Sequence, residues 1–238
     1  FGNVLKSKVA GAWELFKGLK LRGAWSQSFR APNLAQFYSA GTQVSNTRTD
    51  FAACRLNPGT TCSGVGTLEV RAGNQNLTPE NAKTLSGGVV FQPIRNLTLT
   101  ADYWSLRSDG VIGIQGAQNQ ILFDLLERLN GRSNPNVVRL APVGTQVVGT
   151  IDYVQDNYFN LGPRTLRGLD FAASFDLRDT PLGTFNFDLS ASKLLKYEQT
   201  ASELQAKLIA ANAAGTLGTG ITITQAGSQI QVNGNPEW

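Results

Sequence analysis

The side chains that could carry chemistry are few in this chain of 238 residues, and they follow no catalytic pattern. The chain has no histidine, which is the commonest general base and metal ligand. It has no G-x-S-x-G segment and no glycine-rich loop of the kind that cradles phosphates. The sequence therefore assigns no catalytic residue, cofactor or metal, and it predicts a protein that is not an enzyme.

Two cysteines, Cys54 and Cys62, lie in one loop-like region with Asn57, Pro58 and Gly59 between them. A local disulfide fits this arrangement and would indicate an oxidising compartment, with free thiols as the alternative. A zinc site would need two more ligands, and no neighbouring motif supplies them.

Composition narrows the class of protein further. The mean hydropathy is −0.15, and no apolar run approaches the roughly 20 residues that a spanning helix needs. The net charge of +4 comes without a block of lysine or arginine, so nucleic acid is not an expected partner. An outer-membrane barrel stays open, because alternating strands average to an ordinary hydropathy.

The elements that must position any functional side chain are β-strands. Leu85, Val89 and Phe91 alternate with polar or small residues, as Phe171 and Phe175 do later in the chain, and such alternation is typical of a strand with one apolar face. The pattern predicts three hairpins with short turns. Their six strands cover about 4–15, 19–30, 80–92, 97–107, 164–177 and 183–195.

Three long connections separate the hairpins, at about 31–79, 108–163 and 196–235. Helical spacing predicts one helix over 118–130 and another up to about Asn212, with Thr200 to Glu203 as its capping box. Residues 146–160 are predicted to form a further strand pair or an irregular extension above the sheet.

Short turns on one side and long loops on the other are typical of bacterial outer-membrane barrels. Six strands cannot close a barrel, since the smallest have about eight. The predicted fold is therefore all-β: an antiparallel meander that forms one arc of a larger barrel. Residues 1–238 are expected to be part of one domain, and the missing methionine indicates that Phe1 is not a translation start. Four aromatic side chains fit either an interfacial girdle or an ordinary soluble core: Trp13, Trp25, Tyr103 and Trp104.

Two segments make the comparison with a known family specific. Ser28 to Leu34, SFRAPNL, resembles the "FRAP" segment of TonB-dependent outer-membrane receptors, and Gly73 to Glu80, GNQNLTPE, resembles that family's "GN-x-x-L-x-P-E" segment. Asp102-Tyr103 is similar to its "DYY" position. Asn160 and Gly168 are similar to its "N-x-G … G-x-E" approach to a later strand, with Asp170 in place of Glu.

This resemblance implies a barrel of about 22 strands with a plugged lumen in the outer membrane of a Gram-negative bacterium. It also implies uptake of a scarce ligand such as a siderophore, cobalamin or an oligosaccharide. The implied partners are outer-membrane lipid, the small-molecule ligand, an N-terminal plug domain and, through the plug, TonB. Neither the plug nor the terminal strands lie in these residues, so the chain is expected to be a fragment.

The resemblance places candidate ligand- or plug-facing residues in and after the first motif and at the start of a strand. They are Arg30, Asn33, Phe37, Tyr38 and Glu80. Simpler roles stay open for four of them: chain turning for Arg30, loop packing for the aromatic pair, and a strand start for Glu80. The alternatives for the whole chain are a passive porin or adhesin-like barrel, and a soluble extracellular β-sandwich binding module.

Overall fold

The computed structural model describes residues 3–221 and 223. It contains twelve strands and four helices in that part of the chain. The strands are β1 (Lys8–Phe16), β2 (Leu19–Arg30), β3 (Thr42–Thr49), β4 (Gly64–Arg71), β5 (Glu80–Ile94), β6 (Leu97–Asp109), β7 (Ile112–Gly113), β8 (Val137–Arg139), β9 (Ile151–Gln155), β10 (Phe159–Asn160), β11 (Arg164–Thr180) and β12 (Gly183–Gln199). The helices are α1 (Leu34–Tyr38), α2 (Phe51–Leu56), α3 (Ala117–Leu129) and α4 (Glu203–Ala213).

Six long strands form one antiparallel sheet in the order β1-β2-β5-β6-β11-β12. Their lengths run from 9 to 17 residues, enough for the roughly 9–11 that a tilted strand needs to cross a bilayer. Consecutive strands are neighbours throughout, so the sheet is a meander, which confirms the predicted all-β fold class. No helix among residues 3–221 and 223 is both long and apolar enough to cross a membrane.

One face of this sheet is apolar and exposed. Trp13 and Phe187 are 67% and 58% exposed, and no second sheet packs on this face in the described part of the chain. A soluble sandwich would bury such a face, whereas a membrane-facing barrel wall leaves it to contact lipid. The other face carries arginine, carboxylate and hydroxyl side chains. Because Arg22, Gly88 and Asp102 occupy one row across β2, β5 and β6, they share that polar face.

The strand ends differ slightly from the sequence-based expectation. β1 begins at Lys8, although Gln27 still donates its N–H to the carbonyl of Ser7. β5 continues to Ile94 and β11 to Thr180, so the turns shrink to two residues each. A register shift precedes each of these turns, between Phe91 and Ile94 in β5 and between Leu177 and Thr180 in β11. Such a bulge lets the strand continue through residues that the sequence had indicated as part of the turn.

The three long connections all leave the same end of the sheet and pack together; residues 31–79, 110–163 and 200–221 are called the cap below. The cap has its own four-stranded sheet in the order β3-β4-β9-β8, with β4 and β9 parallel. Residues 146–160, predicted to form a strand pair or an irregular extension, contain β9 and β10, but these two strands pair with other strands and not with each other. The four-stranded sheet itself was not predicted, because β4 and β9 come from different connections and their paired residues, such as Leu68 and Tyr153, lie more than 80 positions apart. The end of the third predicted loop lies outside the described residues.

A small hydrophobic core holds the cap together. It draws Ala52 from the first connection, Leu122 and Leu125 from the second, and Leu208 and Leu217 from the third, and all five are fully buried. Helix α3 runs from Ala117 to Leu129 close to its predicted bounds. The capping-box prediction for α4 was wrong: Ser202 and Gln205 form it, because the helix begins two residues later than a Thr200 cap requires.

Candidate functional site

The two motif segments of the sequence meet where the sheet joins the cap. Arg30, the last residue of β2, forms a bidentate ion pair with Glu80, the first residue of β5, through Nε at 2.9 Å and Nη2 at 2.5 Å. Glu80 also accepts the backbone N–H of Ile112 at 2.6 Å. A fork-shaped guanidinium fits a carboxylate in this way, so the pair fixes the ends of two neighbouring strands.

The segment after Arg30 is held by the capping box of helix α1 and by contacts with the second motif segment. Asn33 is the N-cap of α1 and accepts the N–H of Gln36 at 2.8 Å, and the Gln36 side chain accepts the N–H of Asn33 at 3.0 Å. Asn74 donates its N–H to the carbonyl of Gln36. Gly73 lies so close to α1 that an added Cβ would come within 2.8 Å of the Phe37 and Tyr38 backbone. Glycine is required there because no side chain fits.

Phe37 and Tyr38 form an edge-to-face pair with ring centroids 5.2 Å apart. The Tyr38 ring is 64% exposed on the cap surface, whereas Phe37 is half-buried. The structure therefore brings four of the five candidates into one rim cluster with shared contacts, namely Arg30, Asn33, Phe37 and Glu80, and leaves Tyr38 at its outer edge.

Asn160, the residue similar to the start of the family's "N-x-G … G-x-E" approach, bonds the same rim to a different connection. Its side-chain amide donates to the carbonyls of Thr78 and Gly110, at 2.8 and 2.7 Å, and accepts the N–H of Thr78 at 2.9 Å. Asn74 likewise donates to the carbonyl of Tyr158 at 2.9 Å. The first two motif segments and Asn160 therefore form one hydrogen-bonded junction between the sheet and the cap.

Below the rim, the polar face holds a second ion pair that sequence reasoning did not single out. Arg22 on β2 reaches across β5 to Asp102 on β6, with Nε–Oδ1 at 2.8 Å and Nη2–Oδ2 at 2.5 Å. The pair passes over Gly88, where an added Cβ would collide with the Asp102 carboxylate. The signal lay in the sequence as a glycine in a strand interior, which often marks a close approach by a neighbour.

Trp104 does not lie with the other three aromatic residues that were candidates for an interfacial girdle. Trp13, Trp25 and Tyr103 lie on the apolar face, but Trp104 pairs with Gly168 and its indole ring covers that glycine on the polar face. The physical reason is strand alternation, which sends the side chains of Tyr103 and Trp104 to opposite faces. Nearby on the polar face, the Arg164 guanidinium lies 5.9 Å from the centre of the Tyr197 ring, a cation–π distance.

The cap contains a buried charge network that the sequence did not reveal. Arg139 is only 5% exposed and donates to both carboxylate oxygens of Asp50, at 2.6 and 2.8 Å, and to Asp124 at 2.9 Å. Burial alone would lower the pKa of Arg139, but Asp50 and Asp124 raise it on balance. Asp50 also caps α2 by accepting the N–H of Ala53. The network joins the first connection to the second.

The predicted cysteine pair is a disulfide in the structure, with Cα atoms 5.0 Å apart. It connects α2 to the segment that leads into β4. Among the described residues, no three carboxylate or thiol groups lie close enough together to hold a metal ion.

The comparisons with known proteins agree with this architecture. The family model described as "TonB dependent receptor-like, beta-barrel" matches residues 2–237. The chain belongs to this family of TonB-dependent receptor barrels, whose members are transport receptors of the Gram-negative outer membrane.

Two solved structures illustrate the likeness. The siderophore receptor PirA from Acinetobacter baumannii matches with a TM-score of 0.52 and 11% identity, over 83% of this chain and 23% of that one. A mutant of the ferric enterobactin receptor PfeA from Pseudomonas aeruginosa, in complex with enterobactin, matches with a TM-score of 0.51 and 12% identity, over 84% and 23%. Identities this low show the fold alone. The chain spans about a quarter of the length of these receptors.

Proposed function

We propose that this chain is one arc of the barrel of an outer-membrane receptor that takes up a scarce ligand with energy delivered through TonB. The observation that carries the proposal is the family match over residues 2–237. The exposed apolar face and the polar face beneath a folded cap support it, because a receptor needs a wall against lipid and an enclosed surface that its ligand reaches from outside.

Siderophores, cobalamin and oligosaccharides are the ligand classes that we propose, with a plug domain and TonB as partners. The rim cluster supports a positioning role for Arg30 and Glu80 in this receptor. The two charged groups pair with each other, so their contribution is to fix the ends of β2 and β5 where the sheet joins the cap. Tyr38, 64% exposed at the outer edge of that cluster, is a candidate that a ligand can reach from outside.

The test is uptake by cells that express the complete reading frame containing this chain. Labelled ferric siderophores, cobalamin and maltotriose are offered to a strain without other receptors for them, in the presence and absence of TonB. We expect at least one probe to accumulate only when TonB is present. Accumulation that is the same without TonB would identify a passive porin and refute the proposal, as would failure of every probe to enter a strain whose receptor is folded in the outer membrane.

A further inference from the structure

A cleft of about 270 Å³ lies in the cap, between the first and second connections. One wall is the disulfide-bonded segment around Thr60 and Ser63, and the other is the segment from Gln146 to Ile151. Since a water molecule occupies roughly 30 Å³ of liquid, the cleft has room for about nine waters or one small ring.

Hydroxyl groups dominate the polar lining of this cleft. Thr60, Thr61, Ser63 and Thr150 all line it, and none of their hydroxyls has a hydrogen-bond partner among residues 3–221 and 223. The Gln146 side chain accepts the N–H of Val143 at 3.1 Å, which leaves its amide nitrogen as a further donor. Each hydroxyl can both donate and accept, so the lining can match groups of either kind.

Among the described residues that line the cleft, Asp50 is the one ionisable group, and both oxygens of its carboxylate are held by Arg139, so this part of the chain offers the cleft no unpaired charge. An anionic or cationic ligand would therefore lose hydration without gaining an ion pair. Apolar surface from Val65, Val148 and Ile151 completes the lining.

The two walls are held at a fixed separation before any ligand arrives. Asn57, which is 7% exposed, accepts the N–H groups of Val147 and Val148 at 2.7 and 2.8 Å and donates to the carbonyl of Val148 at 2.7 Å. The Cys54–Cys62 disulfide closes the segment that contains Asn57 and forms the first wall. A preorganised cleft binds with less loss of conformational entropy than a mobile one.

We propose that this cleft binds a neutral polyhydroxylated ring, such as one sugar residue, with its hydroxyls on Thr60, Thr61, Ser63 and Thr150 and its C–H faces on the apolar lining. The combination of hydroxyl, amide and apolar groups without free charge carries the inference. The inference rests on the proposed receptor function, which puts the cap outside the cell. The sugar can come from a soluble saccharide offered for uptake or from the saccharide chain of lipopolysaccharide in the same membrane.

The experiment measures saccharide binding to the protein encoded by the complete reading frame, purified in detergent. Methyl α-D-glucopyranoside and maltotriose are titrated by calorimetry, and purified lipopolysaccharide is tested in a separate arm. The variant Thr60→Val/Thr61→Val/Thr150→Val removes three hydroxyls with little change in shape. The control is Thr42→Val, an exposed threonine on β3 that does not line the cleft.

We expect at least one of the probes to bind the wild-type protein, the triple variant to bind it at least tenfold more weakly, and the control to bind like the wild type. Binding only in the soluble-saccharide arm or only in the lipopolysaccharide arm identifies the source of the ring, and either result supports the proposal. Absence of binding in both arms overturns it, as does equal binding by the triple variant. Hydrogen exchange of α2 is measured for every variant, and unchanged exchange is the criterion that the cap is still folded. TonB-dependent uptake without any saccharide binding overturns this inference alone and leaves the proposed function standing.

Discussion

Replacing Arg139 with alanine should open the cap while leaving the six-stranded sheet folded. Arg139 is 5% exposed, and its removal leaves two buried carboxylates, Asp50 and Asp124, without the cation that both contact. Removing one partner of a buried ion pair costs about 3–5 kcal/mol. Asp124 keeps its ion pair with Arg128 at 2.8 Å, so we expect the lower end of this range.

The assay is hydrogen exchange, followed peptide by peptide, under conditions where exchange reports the equilibrium population of the open cap. A loss of about 3 kcal/mol corresponds to roughly 150-fold faster exchange, since each 1.4 kcal/mol is a factor of ten. Peptides from α2 and α3 should show this change, and peptides from β11 and β12 should not, because the Arg139 guanidinium donates to Asp50, Asp124 and the Gly149 carbonyl, which all belong to the cap.

Arg132→Ala is the matched control. Arg132 is also ion-paired, with Glu127, but its side chain is 63% exposed, and solvent screens such a surface pair so that it contributes little to stability. Arg139→Lys should fall between the two, because an ammonium keeps the charge but cannot hold Asp50 by two parallel bonds. If Arg139→Ala changed exchange in α2 and α3 no more than Arg132→Ala does, the buried network would not stabilise the cap and the reasoning would be wrong.

Three further predictions concern other parts of the molecule. Burial raises the pKa of the Asp156 carboxyl from 3.8 to about 6, so between these pH values the folded cap binds one proton more than the unfolded chain does. The stability that this proton contributes is fully present below about pH 4 and falls by up to about 3 kcal/mol as the pH rises through 6. Asp156→Asn should abolish this pH dependence of the free energy of unfolding. Gly88→Ala should lower the free energy of unfolding of the sheet in detergent by about 1–3 kcal/mol, because the added Cβ would collide with the Asp102 carboxylate. The control Gly11→Ala should not, since nothing lies within 4 Å of an added Cβ there. Equal effects would contradict the passage of the Arg22–Asp102 ion pair over Gly88. Cys54→Ser/Cys62→Ser should destabilise the cap by about 2.5 kcal/mol, the loop-closure estimate for a separation of 8 residues, and unchanged exchange in α2 would rule out the disulfide as a brace.

The sheet could be predicted from the sequence because its information is local. Alternation at Leu85, Val89 and Phe91 marks a strand and its apolar face, and the short turns bring each strand against the next. The order of a meander follows from adjacency alone. Helix α3 was predictable for the same reason, since its leucine spacing lies within one segment. The N-cap of α4 was not predictable in this way, because Thr200 and Ser202 can both cap a helix and only the path of the chain puts Ser202 at its first turn.

The candidate site was predictable as a set of residues but not as a set of contacts. The motifs drew attention to Arg30 and Glu80, but their ion pair joins residues 50 positions apart and depends on the register between β2 and β5. The packing of Trp104 over Gly168 on the polar face could not be predicted, because it depends on the register between β6 and β11.

The amino-acid sequence determined the strands, their apolar face and the membership of the family, because each of these depends on the residue types within a short window. The tertiary structure decided which charges are paired, where Arg139 is buried, and that three loops form one cap with its own core and cleft. These features come from side chains that lie up to 162 positions apart, as the hydrogen bond from Arg55 to the carbonyl of Leu217 illustrates. No local pattern encodes such contacts, since they exist only once the sheet has brought the three connections to the same end.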